Sequence, residues 1–313
     1  MKTTRPASHA TPTIPGMDDR YRAELTGYCY RMLGSGFEAE DAVQETLVRG
    51  WHTFDGTKGT ERAWLYKIAT NVCVDMLRSA QRRAVAMDLT PPSSGGDIGE
   101  PLPETAWVQP IPDPADTAVD RETIRLAFVA ALQHLAPKQR AVLILRDVLC
   151  WKADEVAELL DTTTASVNSA LQRARATMKA PKPLGPLKES DRDLFARYVS
   201  AFERYDVETL VSLLHEDATM TMPPFAYWLR GRETIRAALL MSPNRACENA
   251  QVVLTAANGC PAFGQYQDGE PFALVVVEIS DGLITGTSTY LGVHLFPLFE
   301  LPMSLGSSSR SNG

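Results

Sequence analysis

No stretch of this chain is apolar for long enough to cross a bilayer. Apolar runs such as Phe272 to Val277 fall far short of the ~20 residues a spanning helix needs. The opening residues, MKTTRPASHATPTIPG, contain no apolar segment, which excludes a secretory signal there. Cysteine is scarce: five residues, odd in number and widely scattered, form neither a disulfide framework nor a CxxC pattern. They are expected as buried or incidental thiols of a cytoplasmic protein. Five histidines are equally scattered and lack ligand spacing, so neither a metal nor a cofactor is expected. Internal repeats are absent as well.

What is present is a globular composition, 44% hydrophobic and 22% charged over 313 residues, enough for two or three domains that each bury a core. A net charge of −7 is poor for a protein that must hold DNA alone. The distribution of charge is more telling. Residues 17–55 carry four basic and eight acidic side chains, whereas 56–83 carry six basic and two acidic. Residues 84–120 hold seven acidic side chains and no basic one, 121–181 return to +3, and 182–313 stand at −5. Basic islands between acidic segments suggest short DNA-contacting elements whose strength comes from a partner.

Composition divides the chain further. Residues 1–17 read as a disordered tail, 18–83 as a helical unit broken at Leu33-Gly34-Ser35-Gly36, and 84–120, with seven prolines, as an extended acidic linker. A second helical unit spans 121–180, and the joint APKPLGP leads through 181–189 into a C-terminal domain over 190–303, followed by a disordered tail over 304–313. That domain mixes helices with alternating strands separated by Asn258-Gly259, Asp268-Gly269 and Asp281-Gly282, which are hairpin turn pairs. The expectation is three structured units on two loose connectors.

Glu38 to Trp51 places Ala42, Val43, Leu47 and Trp51 on one helical stripe, leaving Glu40, Asp41, Gln44, Glu45 and Val48 outside. By charge alone this is either the solvated face of a core helix or a docking face for a basic partner. The helix from Ala63 to about Arg83 buries Leu65, Ile68, Ala69, Val72 and Met76, and turns Trp64, Lys67, Asn71, Arg78, Arg82 and Arg83 outward, with Arg62 just before it. Arginine and lysine neutralise phosphates, asparagine bonds base edges, and an aromatic stacks on an unpaired base. Trp64 taken alone reads as a core aromatic.

In the second unit, helices over Asp154 to Leu160 and Thr164 to Lys179 flank a turn at Asp161-Thr162-Thr163, which is helix-turn-helix spacing. Val167, Leu171, Ala174 and Met178 form the core stripe of the last helix, and Ser166, Asn168, Ser169, Gln172, Arg173 and Arg175 face outward. Polar residues at the start of a helix and basic ones later suit insertion into a major groove.

EDAVQETLVRGW with WLYKIATNVCVDMLR resembles region 2 of extracytoplasmic-function sigma factors of the sigma-70 family. The segment LAPKQRAVLILRDVLCWKADEVAELLDTTTASVNSALQRARATM resembles their region 4, with Asp161 where glycine is usual. The resemblance implies that Glu40, Asp41, Gln44, Glu45 and Val48 meet the clamp helices of the largest subunit of core RNA polymerase. It also implies that region 4 meets the flap of the second-largest subunit, that the Trp64 helix reads and melts the minus-ten element, and that the last helix reads the minus-thirty-five element. The linker would run through the polymerase channel. The C-terminal order of helices and strands resembles the cone-shaped SnoaL-like α+β domain, without the DGGG-type segment of other fused sigma factors. The expected architecture is therefore two all-α domains and one α+β domain, in a promoter-recognising polymerase subunit that is not an enzyme. Relatives of the SnoaL fold include enzymes, for which His215, Asp217, Tyr227 and Trp228 are the candidate pocket residues here. A ligand of unknown identity in that pocket is the milder expectation. The alternative function is a small-molecule-converting or ligand-binding protein with an accessory DNA-binding module, and a stand-alone repressor is a third.

Overall fold

The computed structural model describes residues 18–53, 60–79, 83–94, 97–113, 125–178, 188–241 and 250–305. Both expected tails up to residue 17 and from 306, the joint at 181–187, and Arg82 lie outside these.

Three helices build the first unit: α1 Asp18–Leu33, α2 Gly36–Thr53 and α3 Glu61–Ser79. Gly34, at φ +75, makes the break between α1 and α2 where the sequence places it. Ala42, Val43 and Leu47 are buried as expected, but Trp51 is 52% exposed. The helical period explains the difference. The buried stripe drifts onto Gly50, where a Cβ would lie 2.8 Å from Leu65 Cδ2, so the next residue leaves the contact.

The second unit comprises α5 Leu126–Gln133, α6 Pro137–Leu143 with a π-helical continuation over Ile144–Val148, α7 Ala153–Leu159 and α8 Thr164–Thr177. Asp161 takes the left-handed conformation at φ +49 in the turn before α8, which aspartate tolerates through local hydrogen bonding. Thr163 then caps α8 by accepting from the Ser166 amide.

The C-terminal unit opens with α9 Glu189–Glu203 and α10 Val207–Ser212. Strands β1 Leu214–Thr221 and β2 Trp228–Arg230 precede α11 Arg232–Met241. Strands β3 Gln251–Ala257, β4 Cys260–Gln267, β5 Glu270–Ser280 and β6 Leu283–Leu291 lead to α12 Leu295–Leu298. Sheet order is β2-β1-β6-β5-β4-β3, with β1 and β6 parallel and the other pairs antiparallel. All three Asx-Gly pairs sit at positive φ and close hairpins. At the start of α9 the Lys188 amide donates to the Asp191 carboxylate at 2.9 Å.

The sheet has two buried faces. One packs on α9, α10 and α11 through Phe195, Tyr198, Phe202, Phe263, Val275 and Val277. The other, with Ala262, Tyr266, Leu274, Val276 and Tyr290, joins a single core with both helical units.

The connector over 84–113 is the main departure from expectation. Far from a loose spacer, it is a strap between the units. Ala84 pairs with Trp107, Pro101 bridges Phe225, and Pro112 bridges Ala257. A short helix, α4 Ala86–Leu89, lies within it. Trp107 is 2% exposed and packs with Ala86, Ala106 and Trp228, and Trp228 Nε1 donates to the Thr90 carbonyl at 2.9 Å. Apolar side chains among the prolines supply the burial, and proline costs little where no ladder amide is needed. The acidic side chains are engaged too: Asp88 with His134 and Glu104 with His294, each at 3.2 Å. Asp113 accepts from the Gly259 amide at 2.6 Å.

A buried polar node ties all three units. Asn258, 1% exposed at the β3–β4 turn, donates to the Tyr30 hydroxyl at 2.7 Å and accepts from the Ile111 amide at 2.9 Å. Tyr30 in turn donates to the Gln109 carbonyl at 2.8 Å. Nearby, buried Arg140 of α6 donates to the Met32 carbonyl at the end of α1 and to Gln133 Oε1. Buried polar groups satisfied this way specify one relative placement of the units.

Candidate nucleic-acid and polymerase interfaces

The outer face of α2 carries Glu40, Asp41, Gln44, Glu45 and Val48, all exposed as the periodicity requires. Glu45 pairs with Arg49 at 2.6 Å, one turn on. Burial, and then the charge of Asp41, raise the Glu40 carboxyl above its ordinary value, with Arg22 opposing. Val48 and Trp51, about half exposed, add an apolar end to this acidic face. An acidic surface with apolar anchors suits a basic helical partner.

On α3, Asn71 and Arg78 are exposed, and Arg78 pairs with Asp75 at 2.9 Å. Arg62, Trp64 and Lys67 are placed differently. They line a cleft of about 780 Å³ whose opposite wall is Cys150, Trp151, Glu155, Glu158 and Asp161 of the second unit. Lys67 Nζ meets Asp161 Oδ1 at 2.7 Å. The Arg62 guanidinium lies 5.2 Å from the centroids of both Tyr66 and Trp151, within cation–π range, and its Nε donates to Glu24 at 2.8 Å. Trp64 is half-buried: its ring packs on the core cluster, while its Nε1 has no hydrogen-bond partner among the described residues. It is thus neither a plain core aromatic nor a free stacking platform in this arrangement.

Arg83 departs from the expected DNA-facing set. It is buried, pairs with Glu38 at 2.6 Å, and donates to the carbonyls of Glu104 and Trp107. The chain leaves the α3 direction before residue 83, so the periodicity that turned Arg83 outward no longer applies there.

Along α8, Ser166, Asn168, Ser169, Gln172, Arg173 and Arg175 are all exposed, over buried Val167, Leu171 and Ala174. Arg173 donates to Ser169 at 2.7 Å. Arg175 forks onto Asp147 with contacts of 2.9 and 2.6 Å.

In the C-terminal unit the candidate general bases do not assemble. His215 lies within β1 and accepts from the Asp217 amide at 3.1 Å. Asp217 pairs with Arg230 at 3.3 Å on the exposed side. Tyr227 and Trp228 are buried in different clusters.

Sequence reasoning missed Trp151, whose only signal is an aromatic in a short connector between helices, and Glu278, a lone carboxylate in an apolar strand. A helix-turn-helix beside a helix with a basic and aromatic face defines a modular DNA-binding protein. Family models match Sigma-70 region 2 at residues 17–83, Sigma-70 region 4 at residues 125–178 and a SnoaL-like domain at residues 195–286. The chain is 40% identical to the ECF RNA polymerase sigma factor SigG of Mycobacterium tuberculosis, over 96% of this chain and 87% of SigG. It is 32% identical to SigJ of the same organism over 64% of this chain and 62% of SigJ. The crystal structure of SigJ shares its fold, with a TM-score of 0.62 at 24% identity, covering 90% of this chain and 97% of that one. The chain therefore belongs to the extracytoplasmic-function sigma factors of the sigma-70 family. It acts with core RNA polymerase to direct promoter-specific initiation of transcription.

Proposed function

We propose that this sigma factor rests in a closed arrangement that hides part of its own promoter-reading face, and that its C-terminal domain sets how readily it opens. The observation that carries the reading is the cleft, where Glu155, Glu158 and Asp161 face Arg62 and Lys67 in the place of DNA phosphates. Opening frees Arg62, Trp64 and Lys67 to join Asn71 and Arg78, with Arg82 next to them in sequence, at the minus-ten element. Ser166, Asn168, Ser169, Gln172, Arg173 and Arg175 serve at the minus-thirty-five element. Glu40, Asp41, Gln44, Glu45 and Val48 dock on the clamp helices of the largest polymerase subunit, and the second unit docks on the flap. The acidic strap releases into the polymerase channel. As a partner of core polymerase it operates in the cytoplasm. No described helix is long and apolar enough to cross a membrane. The C-terminal domain acts as a binding and restraining module with no reaction of its own.

Because the sheet shares a core with both sigma units, truncating the domain would expose apolar surface, so a point change is the better test. Asn258→Gly keeps the positive φ of the turn and removes the side-chain hydrogen bonds to the Tyr30 hydroxyl and the Ile111 amide. In transcription with core polymerase, output is expected to change while the start site is kept. Unchanged output would overturn the regulatory reading. Tight, sequence-specific shifts of duplex DNA by the free chain would favour a repressor instead.

A further inference from the structure

The face of the sheet against α9, α10 and α11 is filled: Phe202 and Phe263 stack edge to face at 5.0 Å among Phe195, Val275 and Val277. The opposite face packs on the helical units through Ala262, Tyr266, Leu274 and Val276 but leaves a gap beside them. Across β1, β6 and β5, Thr219 and Glu278 both pair with Gly286, and Thr221 pairs with Ser288. By strand alternation these side chains project together, away from the filled side. Gly286 leaves the space between them open, since a Cβ there would lie 3.2 Å from Thr219 Oγ1 and 3.4 Å from Glu278 Oε2.

Above this patch is a cavity of about 620 Å³, within the range of small-molecule sites. Its facing walls come from other units: apolar Met87 and Trp107 of the strap and Leu126, Ala127 and Ala130 of α5, with Asp88, His134 and Thr177 beside them. Among the described residues, the Glu278 carboxylate has no hydrogen-bond donor. Burial raises its pKa, Arg125 opposing. The other charged groups on the cavity, Asp88 and His134, pair with each other. Glu278 is partly buried and lines the cavity, so its carboxylate is placed to accept from a ligand large enough to fill that space.

We infer that this junction binds an apolar small molecule whose one polar end, an amine or a hydroxyl, donates to Glu278. Its walls come from strap, second unit and sheet together, so a ligand there is bound only while the three stay assembled and biases the opening of the factor. That consequence deepens the regulatory reading above, but occupancy of the site is measured without transcription.

The test titrates the full-length protein with three dansyl probes sharing a five-carbon tail, ending in a primary amine (dansylcadaverine), a hydroxyl or a methyl, and reads fluorescence enhancement. At least one donor-ended probe is expected to bind tenfold or more tightly than the methyl probe, and which one identifies the donor. Glu278→Met should reduce that probe to the methyl level, and Ala127→Trp, at an exposed position on the wall, should weaken it at least tenfold. Equal affinity of all three probes, absence of binding, or binding indifferent to both substitutions overturns the site. If the probes bind as expected but leave transcription unchanged, the site stands and the regulatory reading falls.

Discussion

Replacing Arg83 by alanine is expected to loosen the strap before it affects any contact with DNA. Its side chain is only 7% exposed and meets Glu38, itself 28% exposed, at 2.6 Å. Two more of its bonds go to the carbonyls of Glu104 at 3.1 Å and Trp107 at 2.9 Å. Removing one partner of a buried ion pair costs about 3–5 kcal/mol, because the other charge stays buried and uncompensated. Glu38 keeps some water, which favours the lower end. The two carbonyls regain water once the strap lifts, so their loss does not add in full. A cost of about 3 kcal/mol corresponds to roughly a hundredfold shift in local opening, at ~1.4 kcal/mol per decade. Amide exchange reads this directly. The Ala84 amide donates to Ala106 at 2.8 Å and the Val108 amide to Ala84 at 3.0 Å. Both should exchange on the order of a hundredfold faster in Arg83→Ala, with α1, α2 and α3 retained by circular dichroism. Unchanged protection together with weakened promoter binding would refute this reasoning and return Arg83 to the DNA-facing set.

Asp161→Asn keeps the left-handed turn and removes the partner of Lys67. That pair is 30% and 76% exposed, so the closed form should lose under about 1 kcal/mol, seen as a small drop in energy transfer between dyes on α2 and α8; an unaltered signal argues against the latch. Arg173→Ala should weaken promoter capture by about 1–3 kcal/mol if the residue reads a base, measured by polymerase-dependent gel shift, whereas equal binding would remove it from the interface. Trp64→Ala, in a protein that still folds, should impair opening more than capture; normal permanganate reactivity of the melted strand would contradict that role. At pH 8 iodoacetamide should modify exposed Cys150 and spare buried Cys29, Cys73 and Cys260. Burial pushes the Cys260 thiol up to about 12 and the Cys73 thiol well above its ordinary value, keeping both protonated at pH 8. Rapid labelling of Cys260 in the native protein, read by peptide mass spectrometry, would be inconsistent with this packing.

Much of the fold was legible because it is written in short-range pattern. Period 3.6 in α2 and α8 revealed which side chains stay outside, and Asx-Gly pairs marked the hairpins that join β3 to β6, since a left-handed turn is a local property of the backbone. The linker was misjudged for a corresponding reason. Proline and acid content describe how a segment behaves alone, and nothing local shows that Trp107 has Trp228 to pack on.

By itself, then, the sequence determined the family, the order of the three units and the exposed faces of α2 and α8, each encoded within a few turns of chain. Only the tertiary structure decided that Arg83 holds the strap, that Arg62 and Lys67 are turned into a cleft, and that Glu278 faces a cavity. Each of those depends on a partner far along the chain: Lys67 and Asp161 are 94 residues apart, and Asn258 and Tyr30 are 228 apart. Contacts of that range are set by how the separate apolar faces close on one another, a choice that no local periodicity records.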